Sequence, residues 1–124
     1  MPPVRILLVE DNEVFRDALE LLLGMRDDVQ IVAAVGDGAA AVSAATEHRP
    51  DVVLMDYRLP GMDGIQATVQ VLEAVPDTAV VALTASADDA ERVALVEAGA
   101  VACLTKDQEL EEIVAAILQA AAVA

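Results

Sequence analysis

Tryptophan is absent from this chain, and phenylalanine and tyrosine occur once each. A core nearly without rings has to be filled by Ala, Val, Leu and Ile, which favours helices packed on aliphatic strands. Cysteine also occurs once, at Cys103, so no internal disulfide can form, and the composition suits a reducing compartment. Positive charge is scarce: 7 basic side chains stand against 22 acidic ones, the formal net charge is −15, and Lys106 is the sole lysine. Such a surface repels a phosphate backbone, so no direct nucleic-acid contact by this chain is expected. No apolar run approaches a membrane span, and Met1-Pro2-Pro3 leads into a strand-like run without a charged-then-apolar signal. The expectation is a cytoplasmic protein without membrane contact.

What the chain does have is regular punctuation. Its 124 residues suit one domain, 1–124, without repeat or linker, long enough to bury roughly two-thirds of the surface its unfolded form exposes. Five apolar runs occur, at Val4–Val9, Val29–Val35, Val52–Met55, Ala79–Leu83 and Val101–Leu104. The central run, Val52-Val53-Leu54-Met55, has no polar alternation, as in a strand buried on both faces of a parallel sheet, and it ends in Asp56.

Helical patterns lie between the runs. Val14, Ala18, Leu21, Leu22 and Met25 recur at helical spacing after Asn12, a candidate cap, with Gly24 near the end. An Ala-rich segment follows Gly36-Asp37-Gly38 and stops at Pro50. A third helix enters at Asp63-Gly64, with Asp63 as cap and Ile65, Val69 and Leu72 on one face. A weaker one holds Ala90, Val93, Ala94 and Glu97 and closes at Gly99. The last, opened by Asp107, runs through Leu110, Ile113, Val114, Ile117, Leu118 and Ala121.

Strict alternation with short connections predicts an α/β fold, a doubly wound five-stranded parallel sheet with five helices, for which 2-1-3-4-5 is the common small strand order. In that order Glu10 and Asp11 end the first strand, Asp56 the third, Thr84 the fourth and Lys106 the fifth. All five then converge on one edge, where such sheets bind ligands. Three carboxylates crowded there repel by about 4 kcal/mol per pair at an effective dielectric of about 20, so cations must join them. Lys106 supplies one charge. Hard oxygens without His or Cys point to Mg²⁺ for the rest. A metal and an ammonium can hold phosphoryl oxygens while a carboxylate attacks in line, and Asp56 is the best-placed nucleophile. The Thr84 hydroxyl can donate to a phosphoryl oxygen. Asp11 is the expected direct metal ligand, with Glu10 acting directly or through water.

The ordered set Glu10-Asp11, Asp56 with Leu59-Pro60-Gly61-Met62-Asp63-Gly64, Thr84-Ala85, and Gly99-Ala100 leading to Lys106 resembles a response regulator receiver domain. The resemblance spans Val4 to the last helix and implies a CheY-like (flavodoxin-like) fold. It implies a Mg²⁺ site from Glu10, Asp11, Asp56 and the backbone carbonyl of Arg58. It implies transfer of a phosphoryl group from a sensor histidine kinase to Asp56, with Lys106 pairing to it and Thr84 moving toward it. The chain would then be a phosphoacceptor switch rather than an enzyme. Lys106 followed by Asp107 instead of Pro resembles the NarL/FixJ subfamily, which implies a separate DNA-binding output domain in the full protein and none in this chain.

Two positions depart from the family pattern. Cys103 stands where an aromatic switch residue is usual, three before the lysine, and Ala102 stands where glycine is usual. A thiol cannot make the rotation of a ring, so switching through Thr84 and the following helix alone is the expectation.

Blander roles compete at several residues. Glu10-Asp11 would complement the positive end of the first helix. Thr84 would serve as an ordinary cap ahead of Asp88-Asp89-Glu91. His48 and Arg58 would be solvated, and Cys103 would be inert core. The apolar end 120–124 is either frayed helix or a contact, with a second subunit in a homodimer or with further sequence.

Two other functions fit the residues less well. A haloacid-dehalogenase-type phosphatase would need an acid two residues after the nucleophile, where Arg58 stands. A flavodoxin-like module would need a phosphate-cradling loop where Glu10-Asp11-Asn12 would repel its ligand.

Overall fold

The computed structural model describes residues 2–85 and 88–123. Five strands, β1 (Val4–Val9), β2 (Val29–Val35), β3 (Val52–Asp56), β4 (Ala79–Thr84) and β5 (Ala102–Thr105), alternate with five helices. The helices are α1 (Glu13–Gly24), α2 (Gly38–His48), α3 (Gly64–Ala74), α4 (Asp89–Ala98) and α5 (Leu110–Val123). All strand pairs are parallel and the order is β2-β1-β3-β4-β5, the expected one.

Because side chains alternate along a strand, each strand feeds two cores. Ile6, Leu8, Val52, Leu54, Val81 and Leu83 pack on one side with Leu19 and Leu23 of α1 and Ile113, Val114 and Ile117 of α5. Leu7, Val9, Val53, Met55, Val80 and Ala82 pack on the other with Ala41, Ala44 and Ala45 of α2, Ala67 and Val71 of α3 and Leu95 of α4. Every residue of β3 is buried, which accounts for its unbroken apolar run.

Three helix expectations need correction. The core face of α1 is Phe15, Leu19 and Leu23, while Val14, Leu21 and Met25 are 80%, 68% and 75% exposed. Leu21-Leu22-Leu23 offers two apolar stripes about 100° apart on a helix, and the sheet takes the one containing Leu23. On α3 the fully buried side chains are Ala67, Thr68 and Val71; Ile65 and Leu72 flank them, and Val69 is exposed. Asp107 does not open α5, because its carboxylate accepts the Thr105 hydroxyl, and Glu109 N instead donates to Glu112 Oε1.

The other predicted caps and stops are in place. Asn12 accepts from Phe15 N and Asp63 from Gln66 N. α2 ends at His48, before left-handed Arg49 and then Pro50. Of the apolar end, residue 124 lies outside the described residues. No described helix is long and apolar enough to cross a membrane.

Candidate functional site

The carboxyl edge of the sheet gathers the site. β1 hands over to Glu10, whose amide donates to Val35 O at 2.9 Å, which extends the ladder toward β2 by one residue. Glu10 is then fixed from three directions. Asn12 N donates to its Oε2 at 3.0 Å, Arg16 Nη1 donates to its backbone carbonyl at 2.8 Å, and Lys106 Nζ lies 2.6 Å from its Oε1. Asp56 ends β3, and its Oδ2 lies 3.4 Å from the same ammonium. Its Oδ1 accepts weakly from Arg58 N at 3.4 Å. Lys106 reaches both acids because its backbone amide donates to Thr84 O at 2.8 Å, which sets the end of β5 beside β4.

Glu10 and Asp56 are 1% and 3% exposed, whereas Asp11 faces solvent. One oxygen from each of the three carboxylates lies within 4.8 Å of the others. Burial pushes the Asp56 carboxyl up to about 7, with Glu10 and Asp11 adding to the rise and Lys106 opposing it. Glu10 Oε1 and Asp56 Oδ2 are buried and accept no hydrogen bond beyond their ion pairs with Lys106. Buried anionic oxygens that share one lysine, beside an exposed carboxylate, suit a hard divalent cation reached from solvent.

The expected residues therefore meet, with qualifications. Thr84 is buried at the end of β4 and is not the cap of α4; Asp88 is, accepting from Ala90 N and Glu91 N. Several cap-competent residues follow Thr84, and the strand keeps the threonine; Ser86 lies outside the described residues. Arg58 is exposed in an open cleft lined by Asp11, Tyr57, Leu59, Pro60 and Asp63. Cys103 is half-buried, and burial pushes its thiol up, which disfavours the thiolate that redox sensing needs.

Two residues of the site escaped sequence reasoning. The Phe15 ring centroid lies 4.9 Å from Lys106 Nζ, a cation–π contact. Arg16 holds the Glu10 carbonyl. Phe15 had a signal: it is the one phenylalanine of the chain, four residues, about one helical turn, after Asp11.

Comparison with known proteins gives one answer. The family description "response regulator receiver domain" matches residues 6–118. The transcriptional regulatory protein LiaR of Bacillus subtilis is 38% identical over 114 residues, covering 92% of this chain and 54% of LiaR. The chain spans about half the length of the curated relatives it matches. Among solved structures, the signal receiver domain of NarL from Mycobacterium tuberculosis superposes with a TM-score of 0.93 at 35% identity, covering 98% of both chains. The response regulator domain of Thermotoga maritima CheB superposes with a TM-score of 0.90 at 28% identity, also covering 98% of both.

Proposed function

Because the chain belongs to the response regulator receiver family, we propose that Asp56 is its phosphoacceptor, taking a phosphoryl group from the phosphohistidine of a sensor kinase in a Mg²⁺-dependent step. The observation that carries the reading is the meeting of Glu10, Asp11 and Asp56 within 4.8 Å, with Lys106 Nζ at 2.6 Å and 3.4 Å from two of them.

In the transfer, one Asp56 oxygen forms a bond to phosphorus as the phosphorus–nitrogen bond to imidazole breaks, and the imidazole leaves with the electron pair. The nucleophile must be ionised, yet in the metal-free site its proton is lost only near pH 7. Glu10, Asp11, Asp56 and the Arg58 carbonyl would hold a Mg²⁺ ion, whose positive charge would lower the proton affinity of Asp56 and offset the negative charge of the phosphoryl oxygens. Lys106 already stands at Asp56 Oδ2 and needs only to yield part of its contact with Glu10 to meet an incoming phosphoryl oxygen. The Thr84 hydroxyl, on the buried residue that ends the adjacent strand, would donate to that group. Its movement, with α4 following, is the switch.

LiaR is named a transcriptional regulatory protein, and its length beyond the match leaves room for an output domain. We take the present chain as the receiver of such a regulator, acting in the cytoplasm, forming a homodimer on phosphorylation and leaving DNA contact to a separate domain.

The test is intact mass after incubation with Mg²⁺ and a small acyl phosphate, for the chain and for Asp56→Asn. One added phosphoryl group in the parent only, lost when EDTA replaces Mg²⁺, is the expected result. No adduct, together with phosphate release that does not depend on Asp56, overturns the reading.

A further inference from the structure

The two segments that would hold the cation, Glu10-Asp11 and the loop carrying Arg58, share no covalent connection near the site. The turn between β2 and α2, Gly36-Asp37-Gly38, touches both. On one side a Cβ on Gly36 would lie 2.9 Å from Arg16 Nη1, the group that holds the Glu10 carbonyl. On the other, a Cβ on Gly38 would overlap Met62 Cγ and stand 2.6 Å from its Sδ.

Backbone conformation does not explain the glycine at 38. The positive-φ glycines among the described residues are Gly61 and Gly99, and Gly38 is the first residue of a helix whose cap, Asp37, accepts from Ala40 N at 2.7 Å. At such a position alanine is the better helix former by up to about 1 kcal/mol, so local preference alone argues for a side chain there. What excludes one is Met62.

Met62 belongs to the loop between Asp56 and Gly64 that carries Arg58. That loop is pinned elsewhere by Gly64 N donating to Tyr57 O at 2.6 Å and by Tyr57, Leu59 and Met62 packing on the α2–α3–α4 side of the core. Gly38 itself is buried. Any atom added there has to displace Met62 at its Cγ, close to the backbone, where rotation of the far end of the side chain gives no relief.

We propose that Gly38 and Met62 are a matched positioning pair: the missing side chain at 38 seats Met62, and Met62 sets the height of the loop whose Arg58 amide donates to Asp56 and whose Arg58 carbonyl would serve the cation. Neither residue touches the reacting atoms. The inference rests on the Mg²⁺ reading given above.

The experiment is the thermal midpoint against Mg²⁺ concentration, without phosphodonor, for the parent, Gly38→Ala, Met62→Ala and the double variant. Ligand linkage converts each curve to an apparent affinity whether or not the protein turns over. In EDTA, Gly38→Ala should melt no lower than Met62→Ala, showing that the fold survives. It should need about tenfold more Mg²⁺ than the parent for the same rise, the low end of what supports of metal ligands contribute. In the Met62→Ala background the same Gly38→Ala change should cost nothing, because the overlap is gone. Superimposable curves for the parent and Gly38→Ala, or an equal loss in both backgrounds, overturn the pairing. A parent whose midpoint ignores Mg²⁺ overturns the metal reading instead, and the two failures are distinguishable.

Discussion

Replacing Asp56 with Asn should stabilise the metal-free protein at neutral and alkaline pH. Asp56 is 3% exposed, and burial with the neighbouring acids raises its carboxyl from 3.8 to about 7. Between about pH 4 and 7 the native state therefore keeps a proton that the unfolded chain has lost, and stability falls as pH rises through that window. Roughly three pH units at about 1.4 kcal/mol each set a ceiling near 4 kcal/mol, present in full only above pH 7. Asn keeps the shape and removes the charge. Relaxation of Lys106 toward Glu10 takes back part of the gain, so about 2 kcal/mol at pH 8 is the working figure. For a chain of this length that lifts the thermal midpoint by roughly 6 °C. Urea denaturation in EDTA, followed by circular dichroism at pH 8 and pH 4.5, reads the difference between the two proteins. It should be large at pH 8 and fall to about a quarter of that at pH 4.5, where the unfolded carboxyl is still mostly ionised. Equal stabilities at pH 8, or a gap that does not narrow on acidification, would refute the account of Asp56 as a carboxylate held against its preference.

Lys106→Met removes the cation that Glu10 Oε1 and Asp56 Oδ2 share, and should cost about 2–3 kcal/mol in EDTA at pH 8, short of a fully buried pair because the lysine side chain is 21% exposed. A loss below about 0.5 kcal/mol, within the range of ordinary surface substitutions, would show that the pair is inert. Phe15→Leu should cost about 1 kcal/mol more in the parent than in the Lys106→Met background, measured by the same denaturation; equal costs would remove the cation–π contact from the site. Leu21→Glu, on the exposed α1 stripe whose helix starts beside Asp11, should leave stability within about 0.5 kcal/mol and labelling by a small acyl phosphate unchanged. A loss above about 1 kcal/mol would show that this stripe packs against the rest of the fold after all. Cys103→Tyr should leave phosphorylation intact and alter phosphorylation-dependent dimerisation, read by sedimentation of the phosphorylated protein; an unaltered response would deny this position a switching role.

Legibility in the sequence followed how many arrangements a pattern permits. Val52 to Met55 admits one reading, because an unbroken aliphatic run bounded by Pro50 and a carboxylate suits only a central strand, and β3 is buried throughout. Given the common strand order of a small doubly wound sheet, the strand ends converge, and Glu10, Asp56, Thr84 and Lys106 fall on one edge. The periodicity of α1 admits two stripes, and only the position of the sheet chooses between them. The start of α4 admits several caps, and the pull of β4 on Thr84 leaves the task to Asp88. Distances were illegible for the same reason: strand ends bring Lys106 within reach of both acids but do not rank them. The ranking follows from the frame around Glu10, whose carbonyl and Oε2 are already engaged by Arg16 and Asn12, leaving Oε1 aimed at the ammonium. Asp56, with one long contact to that ammonium and one weak amide, is the less satisfied acid, and the raised proton affinity falls on it. Fuller pairing of Asp56 with lysine would leave the site less use for a metal; on the phosphoacceptor reading proposed above, a divalent cation would supply the positive charge that its one long contact leaves wanting.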